Sequence, residues 1–316
     1  MAEAILAVKN VYLRNRSLFL LVLKVLIAAG LLTFIIYSVN ISQTIRVFTN
    51  ADKLFLSTAF MLSFVNVYLQ YLKWKLVCGS FLGESERGKI INSLFYGFAA
   101  GSFTPARIGE YVGRAVPFTD KPLLKVSSAV FVDKLFSLVI VFLIGSVSFL
   151  FFMNLEFLYT AGVILLFGLL AYFLLKGTML TPFLKKTINR RKWTRDLFSG
   201  MTDLKESSNA FRLKLSSLSL LFYACFILQF ALLVTAFSHQ INFLDYIWSG
   251  NLVMFAKTII PPVSFGELGI REGASVYFLK QVGVSAAAGF NASIFLFLIN
   301  VLLPALTGLI LLLKRK

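Results

Sequence analysis

Two short stretches concentrate the residues of this chain that could do chemistry. Residues 104–114 read TPARIGEYVGR and residues 261–271 read PPVSFGELGIR. Pro105, Gly109, Glu110 and Arg114 recur as Pro262, Gly266, Glu267 and Arg271, 157 residues later, with Pro261 adding a further break. Phe98-Ala99 and Phe255-Ala256 extend the match to six identities in seventeen positions, which points to an internal duplication. Proline and glycine interrupt helices, and charges inside apolar surroundings are expensive. The pattern therefore reads as a membrane binding site built from broken helices. The plainer alternative is that the Pro and Gly residues mark two loops.

Glu110 and Arg114 stand four residues apart, as do Glu267 and Arg271, the spacing of a helical ion pair. Where the second arm of each broken helix begins, the backbone amides at Gly109 and Gly266 are expected to be unpaired and able to hold an anion. Arg107, Arg114, Lys257 and Arg271 supply four cationic groups and Glu110, Glu267 and Glu272 three acids. The expected headgroup site is thus compensated charge with a slight cationic surplus. Two readings stay open. Either the ion pairs only hold the hairpins together, or a lipid phosphate competes with the glutamates for the arginines, whose forked geometry suits it.

Those residues sit in a chain that is 58% hydrophobic and 14% charged, with a mean hydropathy of +0.83. A water-soluble core could not hide that much apolar surface. The net charge of +17 would suggest nucleic acid in a soluble protein, but here the basic residues lie between apolar runs, where they report orientation and contact with anionic lipid. No nucleic-acid partner is expected. Cys78 and Cys225 are far apart and His239 is the only histidine, which leaves little room for a metal centre, a disulfide framework or triad chemistry.

Apolar runs long enough to cross the bilayer are expected at about 18–38, 54–72, 126–152, 157–175, 215–237 and 284–313. The last holds Pro304 as an expected kink, and a polar stretch at 73–89 is expected to return the chain to its starting side. Residues 92–103 and 248–260 are too short to cross alone, and with their second arms (to 116, and 267–280) they read as two re-entrant hairpins. The fold class is an all-α polytopic membrane protein with six transmembrane helices and two re-entrant helical hairpins. It forms a single integral membrane domain, with repeat 1 at about 18–152 and repeat 2 at about 157–313. A basic segment at 176–214, with apolar residues interleaved, resembles an amphipathic helix lying on anionic headgroups. With both termini cytoplasmic, 22 Lys and Arg fall on the inner side and three on the outer, as the positive-inside rule requires. The halves then run in opposite senses, an inverted repeat suited to alternating access, with the hairpin tips meeting in mid-bilayer. Asp133 and Lys134, two turns inside the third span, point in different directions along a helix and cannot simply neutralise each other. They are expected to support the site or to couple it to protons.

TPARIGE together with PPVSFGELGIREGA resembles the transmembrane flippase-like domain of the lysylphosphatidylglycerol synthase family, over roughly residues 18–313. The resemblance implies movement of a charged or phosphate-bearing lipid between leaflets of a bacterial-type inner membrane. It places the family's two motif regions on residues 104–114 and 261–273. Many members carry a second glycine where this chain has Glu267, and Glu-Arg where it has Asp133-Lys134. Members that make lysyl-phosphatidylglycerol add a soluble aminoacyl-transferase domain, so a chain ending at Lys316 is expected to be a stand-alone member without that synthesis.

The leading expectation is a flippase or scramblase for a phospholipid or a polyprenyl-phosphate carrier. No nucleotide-binding Gly-rich loop occurs, so transport would be passive or ion-coupled, with Glu110, Glu267 or Asp133 as proton carriers. No cofactor is expected. An intramembrane enzyme acting on lipid phosphates and a small-ion or solute exchanger are the alternatives. The absence of HExxH, acidic metal clusters and a serine nucleophile elbow speaks against the enzyme. The lipid and the oligomeric state, a homo-oligomer included, stay open.

Overall fold

The computed structural model describes residues 41–102, 104, 107–153, 162, 168, 204, 206–260 and 269–314. Among them the elements are helical and no strand occurs. After a short α1 (Ile41–Thr49) come α2 (Lys53–Val77), which continues through a π-helical turn at Cys78–Leu82, α3 (Arg87–Ser102), α4 (Gly109–Ala115) and α5 (Leu123–Phe152). The second part holds α6 (Asn209–Ser238), α7 (Phe243–Ile259), α8 (Ile270–Gln281), and α9 (Ala286–Phe297), which passes through a π-helical turn at Leu298–Leu302 into α10 (Leu303–Leu313). Long, medium, short, long is therefore the order of helices in both parts.

Among the described residues, four helices are long and apolar enough to cross a membrane: Lys53–Leu82, Leu123–Phe152, Asn209–Ser238 and Ala286–Leu313. They coincide with four of the six expected spans. The spans expected at 18–38 and 157–175 lie outside the described residues, apart from Gly162 and Gly168, as does most of the basic segment 176–214. Helix starts are set locally. Asp52 accepts the N–H of Leu54 at 2.8 Å to cap α2, Ser208 accepts that of Phe211 at 3.1 Å to cap α6, and Ser285 accepts that of Ala288 at 3.3 Å to cap α9. Large apolar side chains such as Met61, Phe64, Leu221 and Ile310 stay exposed on the outer faces, which suits hydrocarbon and not water.

Helices α2 and α6 lie antiparallel along their length. The Asp52 N–H donates to the Ala236 carbonyl at 2.9 Å near one end, Gln229 Nε2 donates to the Ala59 carbonyl at 2.7 Å, and the Phe81 and Phe211 rings stand 5.3 Å apart near the other end. Between them Asn66 and Asn300 both donate to Gln229 Oε1 at 2.8 Å, tying α2 and α6 to the π-turn before α10.

The α3–α4 hairpin starts and finishes at the Phe81–Phe211 end, where the Phe118 ring packs 6.5 Å from Trp74. The α7–α8 pair starts at the opposite end, where Phe243 packs 6.3 Å from Phe55 and the Tyr246 and Ser238 hydroxyls meet at 3.2 Å. Inside the first hairpin, a Cβ on Gly109 or Gly113 would collide with the carbonyls of Ala100 and Tyr96, so only glycine lets α4 lie this close to α3. Each hairpin also packs on the last long helix of the other part. Gly308 of α10 sits on the Phe95 carbonyl of α3, and Gly145 of α5 sits on the Phe255 side chain of α7.

Three sequence expectations need correction, and the surroundings of Pro304 become visible. The second span does not stop at residue 72, and the stretch 73–89 is not a polar return: α2 carries Lys73 and Trp74 into the buried interior and ends at the π-turn. The first arms of the hairpins have 16 and 17 residues, not twelve and thirteen. At about 1.5 Å per residue these reach about 24–26 Å, still short of the roughly 30 Å of hydrocarbon. The end of the expected basic segment is the first turn of α6, in which Arg212 is buried and donates to the Ser207 carbonyl at 2.7 Å. Pro304 lies just beyond a π-turn, whose altered ladder accommodates the proline's missing donor.

Candidate functional site

Among the described residues, the largest assembly of buried charge grows from α4. This helix is only seven residues long and places Glu110 and Arg114 on one face, both 1% exposed. Arg114 Nη2 donates to Glu110 Oε1 at 2.7 Å, the pair expected from their spacing. The same guanidinium gives its Nη1 to Asp133 Oδ2 at 3.0 Å, on α5. Asp133 in turn holds Lys73 of α2, whose Nζ lies 3.2 Å from Oδ1 and donates to Ser137 Oγ at 2.6 Å. Lys134 turns the other way, its Nζ 2.8 Å from both Glu110 oxygens, and Arg107 Nη2 reaches Glu110 Oε2 at 3.3 Å. Neighbouring residues on a helix do point in different directions, so Asp133 and Lys134 each find a partner on another element.

Trp74 shapes the other side of Arg114. The guanidinium lies 4.6 Å from the indole centroid, a cation–π contact. The indole N–H donates to Ser93 Oγ at 3.1 Å, and Ser93 donates to the Arg114 carbonyl at 2.6 Å, so the hydroxyl of α3 locks both residues in place. Lys73 precedes the end of its long helix by nine residues and Asp133 follows the start of its helix by ten. At about 1.5 Å per residue the cluster lies about 14 Å inside one end of each helix, roughly a third of the way along it.

Among the described residues Lys73, Arg107, Arg114 and Lys134 face two carboxylates in this cluster, Glu110 and Asp133. The surplus opens outward at Arg107 and Lys134, whose side chains are 22% and 35% exposed. The Nε groups of Arg107 and Arg114 are buried without a hydrogen-bond partner among the described residues. Arg107 also holds a backbone φ of 54°, in the left-handed region that costs a non-glycine residue about 1–3 kcal/mol and clusters at binding sites.

Gly109 plays a different part from the one its sequence position suggests. Its N–H is not open to an anion, because it donates to the Thr104 hydroxyl at 2.7 Å. A threonine five residues upstream caps the short helix, and the glycine serves close packing instead. Pro105, Pro261, Pro262, Gly266 and Glu267 lie outside the described residues, and with them the expected meeting of the hairpin tips.

The second arm behaves differently at Arg271. Its partner among the described residues is the adjacent Glu272, with Nη2 to Oε1 at 2.6 Å. Glu272 is turned inward because its other oxygen accepts the Gly269 N–H at 2.6 Å at the start of α8, where φ of 97° demands glycine. Ser293 of α9 completes the group, accepting Arg271 Nε at 3.1 Å and donating to Glu272 Oε1 at 3.2 Å. Lys257 stands half-buried in the last turn of α7. Helices α4 and α8 are not extensively packed on one another, and α5 touches both hairpins, through α4 and α7.

Lys73 and Trp74 are what sequence reasoning missed. The signal was the apolar character of Trp74, Leu76, Val77, Phe81 and Leu82, which carries the span past Lys73 and makes that lysine an interior residue.

Comparison with known proteins agrees with this architecture. No curated protein matches the chain. The family model described as lysylphosphatidylglycerol synthase TM region matches residues 21–308, so the chain belongs to that family of multi-pass membrane proteins linked to lipids.

Proposed function

We propose that the chain is a flippase or scramblase that moves a phosphate-bearing lipid between leaflets, its headgroup passing the hairpins while its tails stay in hydrocarbon. The observation that carries this reading is the buried cluster around Arg114. Six charges lie deep among helices able to span a membrane, and the cationic excess opens at Arg107 and Lys134. Charge at that depth is costly and is found where a polar substrate must pass. Arginine can grip two phosphate oxygens at once, and a displaced Glu110 keeps Lys134 as a partner.

The arrangement of helices supports alternating access. We read α2–α5 and α6–α10 as an inverted repeat. The equivalent helices α2 and α6 run antiparallel, the hairpins start from opposite ends of that pair, and Gly145 and Gly308 make matching crossings with the other part. On this reading both hairpins are re-entrant, one from each leaflet, and the protein acts as a transporter and not as an enzyme.

Vesicles containing the purified protein and a headgroup-labelled phospholipid test it. Label crossing the bilayer on an unchanged lipid is the expected result. Label on a chemically altered lipid contradicts the proposal in favour of an intramembrane enzyme, and ion flux without lipid movement contradicts it in favour of an exchanger.

A further inference from the structure

The charge of the cluster carries information about the charge of its ligand. Among the described residues, Lys73, Arg107, Arg114 and Lys134 against Glu110 and Asp133 leave two positive charges uncompensated. Within a low-dielectric interior an uncompensated charge is far more costly than a paired one. A ligand that brings two negative charges closes the balance, and one that brings a single charge leaves half of it open. A phosphate monoester carries about −1.5 to −2 at neutral pH with three terminal oxygens as acceptors. A phosphodiester headgroup carries one negative charge and two free oxygens.

Geometry agrees with the charge count. The two partly exposed cations flank one carboxylate, Arg107 and Lys134 both resting on Glu110. Arg107 also holds a left-handed backbone, which a non-glycine residue rarely adopts. A terminal phosphate seated between Arg107 and Lys134 would pair with both cations.

We infer that this site selects a lipid with a terminal phosphate monoester, held between Arg107 and Lys134, over a lipid whose phosphate is a diester. The inference rests on the transport reading above and adds the ligand's chemical class. The shared chemistry is the dianionic monoester, whether on a diacylglycerol, on a polyprenol or as free phosphate.

The full chain in vesicles distinguishes these. Transfer rates would be measured for phosphatidic acid, a polyprenyl monophosphate and phosphatidylglycerol, alongside uptake of radiolabelled inorganic phosphate. The expected result is that at least one monoester lipid crosses about tenfold faster than phosphatidylglycerol, without uptake of free phosphate. Arg107→Gln and Lys134→Gln, each confirmed as monodisperse, should remove most of that preference, while Lys134→Arg, which keeps the charge, retains it. Equal rates for monoester and diester overturn the inference and leave the transport reading standing. Movement of neither lipid overturns both. Free phosphate entering as fast as the lipids overturns a lipid ligand, and a preference unchanged in both glutamine variants overturns the placement at Arg107 and Lys134.

Discussion

Asp133 ties three helices of the cluster together, because two cations from two other helices end on it. Removing its charge leaves Lys73 and Arg114 facing each other without an anion between them. Asp133→Asn should therefore cost about 3–5 kcal/mol, the usual range for breaking a buried pair, read as a lower thermal midpoint in detergent. An unchanged midpoint would show that the two cations find other partners. Lys73 and Lys75 make a sharper comparison. Two residues apart on α2, one is 3% exposed and paired while the other lies on the outer surface. Lys73→Met should destabilise by an amount similar to Asp133→Asn, and Lys75→Met should stay within about 0.5 kcal/mol of the wild type. The same measurement checks both, and equal effects would contradict the assignment of Lys73 to the interior.

Helices meet in this protein through glycines at defined crossings where an added methyl group has no room. At Gly308 a methyl group would meet the Phe95 backbone carbonyl, which cannot move without shifting α3. At Gly145 it would meet Phe255 at both its ring and its Cβ, and the Cβ is fixed to the α7 backbone, so turning the ring does not clear the space. Gly308→Ala and Gly145→Ala should thus each cost about 1–3 kcal/mol by overpacking, with thermal unfolding of the two variants as the check. An unchanged midpoint in either variant would mean that the helix facing that glycine moves away at no cost. Much of this level was readable beforehand. Long apolar runs announced the four described spans, and proline and glycine announced the two breaks, because both signals are local. What could not be read depends on distance in the fold. A threonine capping Gly109 across a turn, Glu272 reaching both the Gly269 amide and the Arg271 guanidinium, and two π-turns have no periodic signature. Asn66 and Asn300 are single amides in apolar runs, and nothing in their spacing shows that both converge on Gln229. Asn300→Leu, which removes one donor from that group, should cost about 0.6–1.7 kcal/mol, the range for hydrogen bonds between membrane helices. An unaltered thermal midpoint would show that the π-turn does not depend on it.

Taken as a whole, the molecule places its cationic surplus where two long helices and one hairpin converge, about 14 Å inside the ends of helices able to span hydrocarbon. That placement is the reason to assign it a passenger and not merely a structural role, since a cluster that served only to hold the hairpin would need no unbalanced charge at its mouth. The most direct test is the rate of headgroup-labelled lipid crossing in vesicles for wild type, Arg114→Ala and the surface control Lys75→Met, each taken from a monodisperse fraction. The account predicts crossing in the wild type and in Lys75→Met and its loss in Arg114→Ala. A folded Arg114→Ala protein that moves lipid as fast as the wild type would contradict it.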